Sequence, residues 1–201
     1  MIKKVLFIIC ISLFLINPVL SADKNYIGLM KIDPEKNAYV HNNYGLGYLD
    51  MGQYYAAIQE FKIAISLNPN SQATALYLNN LGETYLKLGY YSSAQTCFED
   101  AVEKAPMTFR YYLNLVTAYQ MQGIIDSKLK YHIKNKQTPL DDITIGLLYL
   151  AKGNTQKGIA VLDNFVMNEP KLFITDGVKY YLKSVIDEQK NGKRWFLWLY
   201  L

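Results

Sequence analysis

The sequence is poor in the residues that most often carry chemistry. It has two histidines, two cysteines and two tryptophans in 201 residues. Neither His41 nor His132 has a Cys, His or carboxylate at ligand spacing on the same helix face, so no metal site is expected. A glycine-rich phosphate loop, a nucleophile elbow and a paired acidic motif are all missing, so neither a cofactor nor an enzymatic activity is expected. A formal charge of +4 gives no electrostatic case for nucleic acid. No apolar run reaches the roughly 20 residues that span a bilayer. Disorder is excluded as the main state, because 51% of residues are hydrophobic and only 19% charged. What is abundant is tyrosine, with 18 copies. Its apolar body and polar tip suit half-buried helix surfaces.

The first residues have the pattern of a secretory signal. Lys3 and Lys4 precede an apolar stretch from Val5 to Ile16, Asn17-Pro18 breaks it, and Val19-Leu20-Ser21-Ala22 ends in small residues. Residues 1–22 are therefore expected to be a cleaved signal peptide, placing the mature chain in the periplasm or outside the cell. Cleavage would remove Lys3 and Lys4 and leave a charge of +2. It would also remove Cys10, so Cys97 could form no internal disulfide. Residues 23–36 are expected to be a linker. At the other end, Lys193-Arg194 precede the apolar run Trp195 to Leu201. The tail 193–201 is expected to fold back onto the last helices; the alternative is an aromatic contact with a partner or a membrane interface.

Between the ends, the chain repeats itself. The segments 38–71 and 75–108 both carry Asn-Asn, then Gly (Gly45, Gly82), Tyr (Tyr48, Tyr85) and a second Gly (Gly52, Gly89). Both continue with Ala, Phe, Ala at one spacing (Ala57, Phe61, Ala64; Ala94, Phe98, Ala101) and close with Pro69 or Pro106. Two weaker copies cover 109–138 and 139–172, tied in by Tyr119, Tyr149, Gly123 and Gly153. In the third copy Lys128, His132 and Asn135 stand where Ala, an aromatic and Ala belong.

This pattern resembles the tetratricopeptide repeat, a helix–turn–helix unit of about 34 residues. The resemblance spans residues 38–172 and implies an all-α fold. It implies a right-handed superhelical stack of helix–turn–helix units, with a capping helix over 173–192. First helices are expected near 37–50, 72–88, 108–121 and 140–151, and second helices near 54–67, 91–104, 125–136 and 155–168. Small residues at the crossings let backbones approach, aromatic rings fill the remaining space, and prolines stop the second helices. Asp33-Pro34 is expected to cap the first helix. Gln72-Ala73-Thr74, an insertion between the first two units, is expected to lengthen the next helix behind Ser71.

In the family, first helices line a concave groove that holds a peptide or a partner helix. The resemblance places Tyr39, Asn42, Asn43, Leu46 and Asp50 on that face in the first unit. It adds Asn79, Asn80, Glu83, Leu86 and Lys87 from the second, and Arg110, Leu113, Asn114, Thr117 and Met121 from the third. The Asn amides would hold a peptide backbone and the apolar residues would pack on side chains. A binding scaffold for a protein or peptide partner is the function this implies. The alternative is a membrane-peripheral envelope or secretion assembly factor, using the aromatic tail and Lys128, Lys130, Lys134 and Lys136. Those lysines, with His132, are otherwise expected to form a solvated face. Asp141-Asp142 should be a solvated helix start, and Cys97 a buried, inert thiol. The pattern specifies no oligomeric state.

Overall fold

The computed structural model describes residues 33–190. The expected signal peptide, most of the linker and the aromatic tail lie outside them. Among the described residues the secondary structure is all helical: α1 (Pro34–Asp50), α2 (Tyr54–Leu67), α3 (Thr74–Lys87), α4 (Tyr91–Lys104), α5 (Phe109–Met121), α6 (Ile125–Lys134), α7 (Asp141–Ala151), α8 (Thr155–Asn168) and α9 (Phe173–Lys190). They form a stack of helical hairpins, each packed on its sequence neighbours.

Local chemistry sets the helix ends. Asp33 Oδ1 accepts the amides of Glu35 and Lys36, both at 3.1 Å, and Pro34 opens the helix where a missing amide costs nothing. Each hairpin turn reverses at a glycine in the left-handed region, for example Gly52 at φ 71° and Gly89 at φ 78°. The insertion at Gln72-Ala73-Thr74 corrects the expectation of a lengthened helix: α3 begins only at Thr74. Ser71 Oγ accepts the Ala73 amide at 3.1 Å, and the Thr74 hydroxyl donates to the Asn68 carbonyl. Those bonds tie the insertion into a turn instead.

Three hairpins share one packing device. A Cβ added to Gly45 would lie 2.5 Å from Phe61, one on Gly82 would lie 2.6 Å from Phe98, and one on Gly146 would lie 2.6 Å from Leu162. The bare glycine backbone is therefore the seat of the facing side chain, and Phe61, Phe98 and Leu162 are all fully buried. Burying each such side chain stabilises the hairpin by about 1.5–3 kcal/mol.

The third hairpin lacks the device. In the same register Val116 replaces the glycine and His132 replaces the ring. Val116 fills the seat and is itself fully buried, so α6 cannot close on α5. It packs mainly on α7 and buries only Leu129. The helix also stops at Lys134, two residues short of the expected end. Two surface expectations change here. Lys128 is not solvated: its ammonium lies 3.3 Å from Glu99 Oε1 and 4.6 Å from the centre of the Tyr119 ring. Asp141 and Asp142 do not form a solvated start either. Asp141 Oδ2 accepts the amides of Gln137 and Thr138 at 2.9 and 2.8 Å, and Lys136 pairs with Asp142 at 2.6 Å.

Candidate functional site

The first helices α1, α3 and α5 lie side by side, and their contact is polar. Asn80 Nδ2 donates to Asn42 Oδ1 at 2.8 Å, joining α3 to α1. Asn114 Nδ2 donates to Asn79 Oδ1 at 2.7 Å, joining α5 to α3. Glu83 gathers three more donors on Oε1: Asn79 at 2.8 Å, Asn114 at 2.9 Å and the Arg110 guanidinium at 2.9 Å. Each helix thus holds the next through amides that water cannot reach. Leaving one of them unpaired would cost about 1–3 kcal/mol.

This ladder changes the role of five residues expected on the groove face. Asn42, Asn79, Asn80, Asn114 and Thr117 are buried. The asparagines are spent on one another, and Thr117 donates to the Leu113 carbonyl at 2.9 Å. They position the helices and do not present side chains to a ligand. Tyr39, Asn43, Leu46, Asp50, Lys87 and Arg110 are exposed on the same helices, while Glu83, Leu86, Leu113 and Met121 are half-buried. Leu76, 45% exposed, also belongs to the strip. It stands in the same register as Tyr39 and Arg110, which is the sequence signal that would have found it. The strip is thus an apolar line of Tyr39, Leu46 and Leu76 beside charges of both signs.

The strip ends at the fourth unit. Ile143, Thr144 and Leu147 of α7 occupy the equivalent register but are buried. Ile143 and Leu147 share one apolar cluster with Ile174, Val178, Tyr181, Leu182 and Val185 of α9. Helix α9 packs on α8 and reaches α5, where the Tyr181 ring lies 5.2 Å from Phe109.

His41 and Cys97 have structural explanations. His41 Nδ1 lies 2.6 Å from Glu60 Oε2 and ties α1 to α2. Cys97 is buried, and burial pushes its thiol up to about 12. No group of three or more His, Cys, Asp or Glu that could hold a metal ion occurs among the described residues. No helix among them is long and apolar enough to cross a membrane.

Residues 37–107 match the family model of the tetratricopeptide repeat, which takes in α2, α3, α4 and most of α1. No curated protein matches the chain. Similar solved structures include a tetratricopeptide repeat protein from Parabacteroides merdae, 17% identical over 77% of this chain and 62% of that one, with a TM-score of 0.48. The tetratricopeptide repeat domain of Arabidopsis OM64 is 16% identical over 75% of this chain and 98% of its own, with a TM-score of 0.42. The second such domain of human RPAP3, solved with an HSP70 peptide, is 19% identical over 66% of this chain and 97% of its own, with a TM-score of 0.46.

Proposed function

We propose that the chain is a protein-interaction scaffold that seats a peptide or partner helix along the first-helix face of α1, α3 and α5. The observation that carries this is the pairing of a rigid base with a solvent-exposed surface. The buried Asn ladder fixes the spacing of three helices, and above it Tyr39, Leu46 and Leu76 are left to solvent between Asp50, Lys87 and Arg110. A preorganised apolar strip with flanking charges binds at low ordering cost, and its charges select the register of the partner. Residues 1–22 support the further reading that this scaffold works outside the cytoplasm.

The test is capture of a partner from host extract by the intact chain and by Tyr39→Ala/Leu76→Ala and Arg110→Ala variants of unchanged helicity. Loss of the same captured protein from both variants supports the face. Equal capture by all three rejects it. Export is tested separately, by fusing residues 1–40 to a reporter active only beyond the cytoplasmic membrane. A membrane-peripheral role draws less support from the lysines of residues 128–136, because Lys128 and Lys136 are engaged with Glu99 and Asp142.

A further inference from the structure

Helix α9 is built like a first helix. Pro170 stands before Thr175 as Pro69 stands before Thr74, and each threonine hydroxyl donates to the carbonyl just ahead of that proline, Glu169 or Asn68. Counted from these threonines, Leu78 and Gly82 of α3 correspond to Lys179 and Lys183 of α9. In α3 both positions are covered by the second helix: Leu78 shares a cluster with Ala101 of α4, and Gly82 seats Phe98. In α9 both positions are exposed, and no described helix follows. Among the described residues, the face that a second helix covers elsewhere is bare.

Along that face runs a groove of about 320 Å³ between α8 and α9. Val166, Leu182 and Ile186 give it an apolar floor, and Asp163, Lys183 and Lys190 stand at its rim. The rim carries both signs, so the floor and not the charge selects what lies there, and the lysine stems extend the apolar surface. The chain itself leaves α9 at the mouth of this groove, because Lys190 lines it. Gly192 follows Lys190 by two residues, as Gly89 follows Lys87 and Gly153 follows Ala151 at turns that reverse the chain. Beyond it come Lys193-Arg194 and the apolar run Trp195 to Leu201. As a helix, residues 193–201 would span about 13 Å, and Ile186 lies only about 6 Å before Lys190 along α9. The segment is long enough to cover Ile186. Its short tether holds it at high effective concentration beside the groove.

We propose that residues 193–201 turn back at Gly192 and lie in the groove between α8 and α9 as the second arm of a fifth hairpin, with Trp195 and Trp198 packed against Ile186. Bulk replaces closeness in this arm. Lys183 holds the register of Gly82, so the arm stands further off, and tryptophan fills a gap that alanine would leave open. The arm covers the end of the stack, as a capping unit does, and is independent of the strip on α1, α3 and α5.

Both tryptophans of the chain are in this segment, so tryptophan emission reports on it alone. In the full chain the emission should lie well to the blue of its position in urea and resist iodide. Ile186→Asp, which puts a charge on the groove floor, should shift it toward the urea position and raise iodide quenching at least twofold, with helicity unchanged. Tyr180→Asp, at an exposed position outside the groove, should change neither. A bimane on Asp163→Cys, across the groove on α8, tests contact while leaving the floor intact. In a Cys10→Ser chain the tryptophans should quench it at every protein concentration, and Trp195→Phe/Trp198→Phe should restore its fluorescence at least twofold. This measurement decides if Ile186→Asp fails to fold. Quenching that fades on dilution assigns the groove to the tail of a second copy, and emission that turns blue only with anionic vesicles assigns the tail to a membrane; either overturns the proposal. So does unchanged emission in a folded Ile186→Asp chain, release by Tyr180→Asp, or a bimane that is not quenched.

Discussion

Replacing Gly82 by alanine tests the packing device on which the hairpins depend. The new Cβ would lie 2.6 Å from Phe98 Cε1 and 2.9 Å from Cδ1 and Cζ. Carbon atoms in contact prefer about 3.5–4.0 Å, so ring or backbone must move by well over half an ångström. Phe98 is fully buried and shares its cluster with Ala94, Tyr119 and Leu115, which leaves it nowhere to retreat. Overpacking of this kind costs about 1–3 kcal/mol. Alanine recovers up to about 1 kcal/mol through helix propensity, so a net loss of about 1 kcal/mol is expected. In a chain of this size that lowers the melting temperature by about 2–4 °C. Urea titration followed by circular dichroism should show the same loss. The decisive arm is the Phe98→Ala background, itself destabilised by about 3–5 kcal/mol. There the clash is gone, and Gly82→Ala should be neutral or stabilising. A Gly82→Ala effect within about 0.5 kcal/mol of zero in the parent chain, or the same cost in both backgrounds, would refute the seat.

Three other perturbations read different parts of the fold. Asn114→Ala removes the donor to Asn79 and Glu83 and should cost about 1–3 kcal/mol by urea titration, whereas Tyr39→Ala on the exposed strip should stay within about 0.5 kcal/mol. Cys97, held up to about 12, should resist Ellman's reagent at pH 8 in a Cys10→Ser chain, labelling only at the rate of unfolding; rapid labelling of the folded chain would contradict its burial. Because His132 titrates below its ordinary value of 6.5 in the fold, the unfolded chain takes up that proton more readily. Its contribution to stability is therefore full above about pH 6.5 and is lost as pH falls through the folded pKa. Urea midpoints measured from pH 7.5 down to pH 5 should drop less steeply for His132→Gln than for the parent.

The sequence carried the helix positions well and the roles of individual face residues less well. The bounds of α2, α4 and α8 are legible because glycine at the turn, alanine at the crossing and proline beyond the end each act through local sterics. The turn at Gln72-Ala73-Thr74 was not legible, since it depends on the Thr74 hydroxyl meeting the Asn68 carbonyl six residues away. The four asparagines were recognisable as first-helix residues. Their burial follows from pairings across 35 and 38 residues, about one repeat apart, which only the stacking of units brings together. A ladder could have been anticipated by asking which residues of successive first helices share a height. In the third unit, the departures at Lys128, His132 and Asn135 were visible on the second helix. The decisive one is on the first helix, where Val116 looks like an ordinary apolar residue until its glycine register is noticed.

That single register also explains how the stack tolerates an open hairpin. In a linear array each unit is held by its neighbours, so a weak unit should interrupt the core. Here α6 adds only Leu129 to the core. Continuity passes instead directly from α5 to α7: Tyr112, Leu115, Val116 and Tyr119 are buried in the same cluster as Ile143, Leu147 and Leu148. Helix α9 secures this bridge from another side, with Val178, Tyr181 and Val185 buried and Tyr181 against Phe109. With α5 clamped between α4, α7 and α9, the stack does not require α6 to close. Helix α6, which buries only Leu129, can therefore open locally without unstacking the remaining helices.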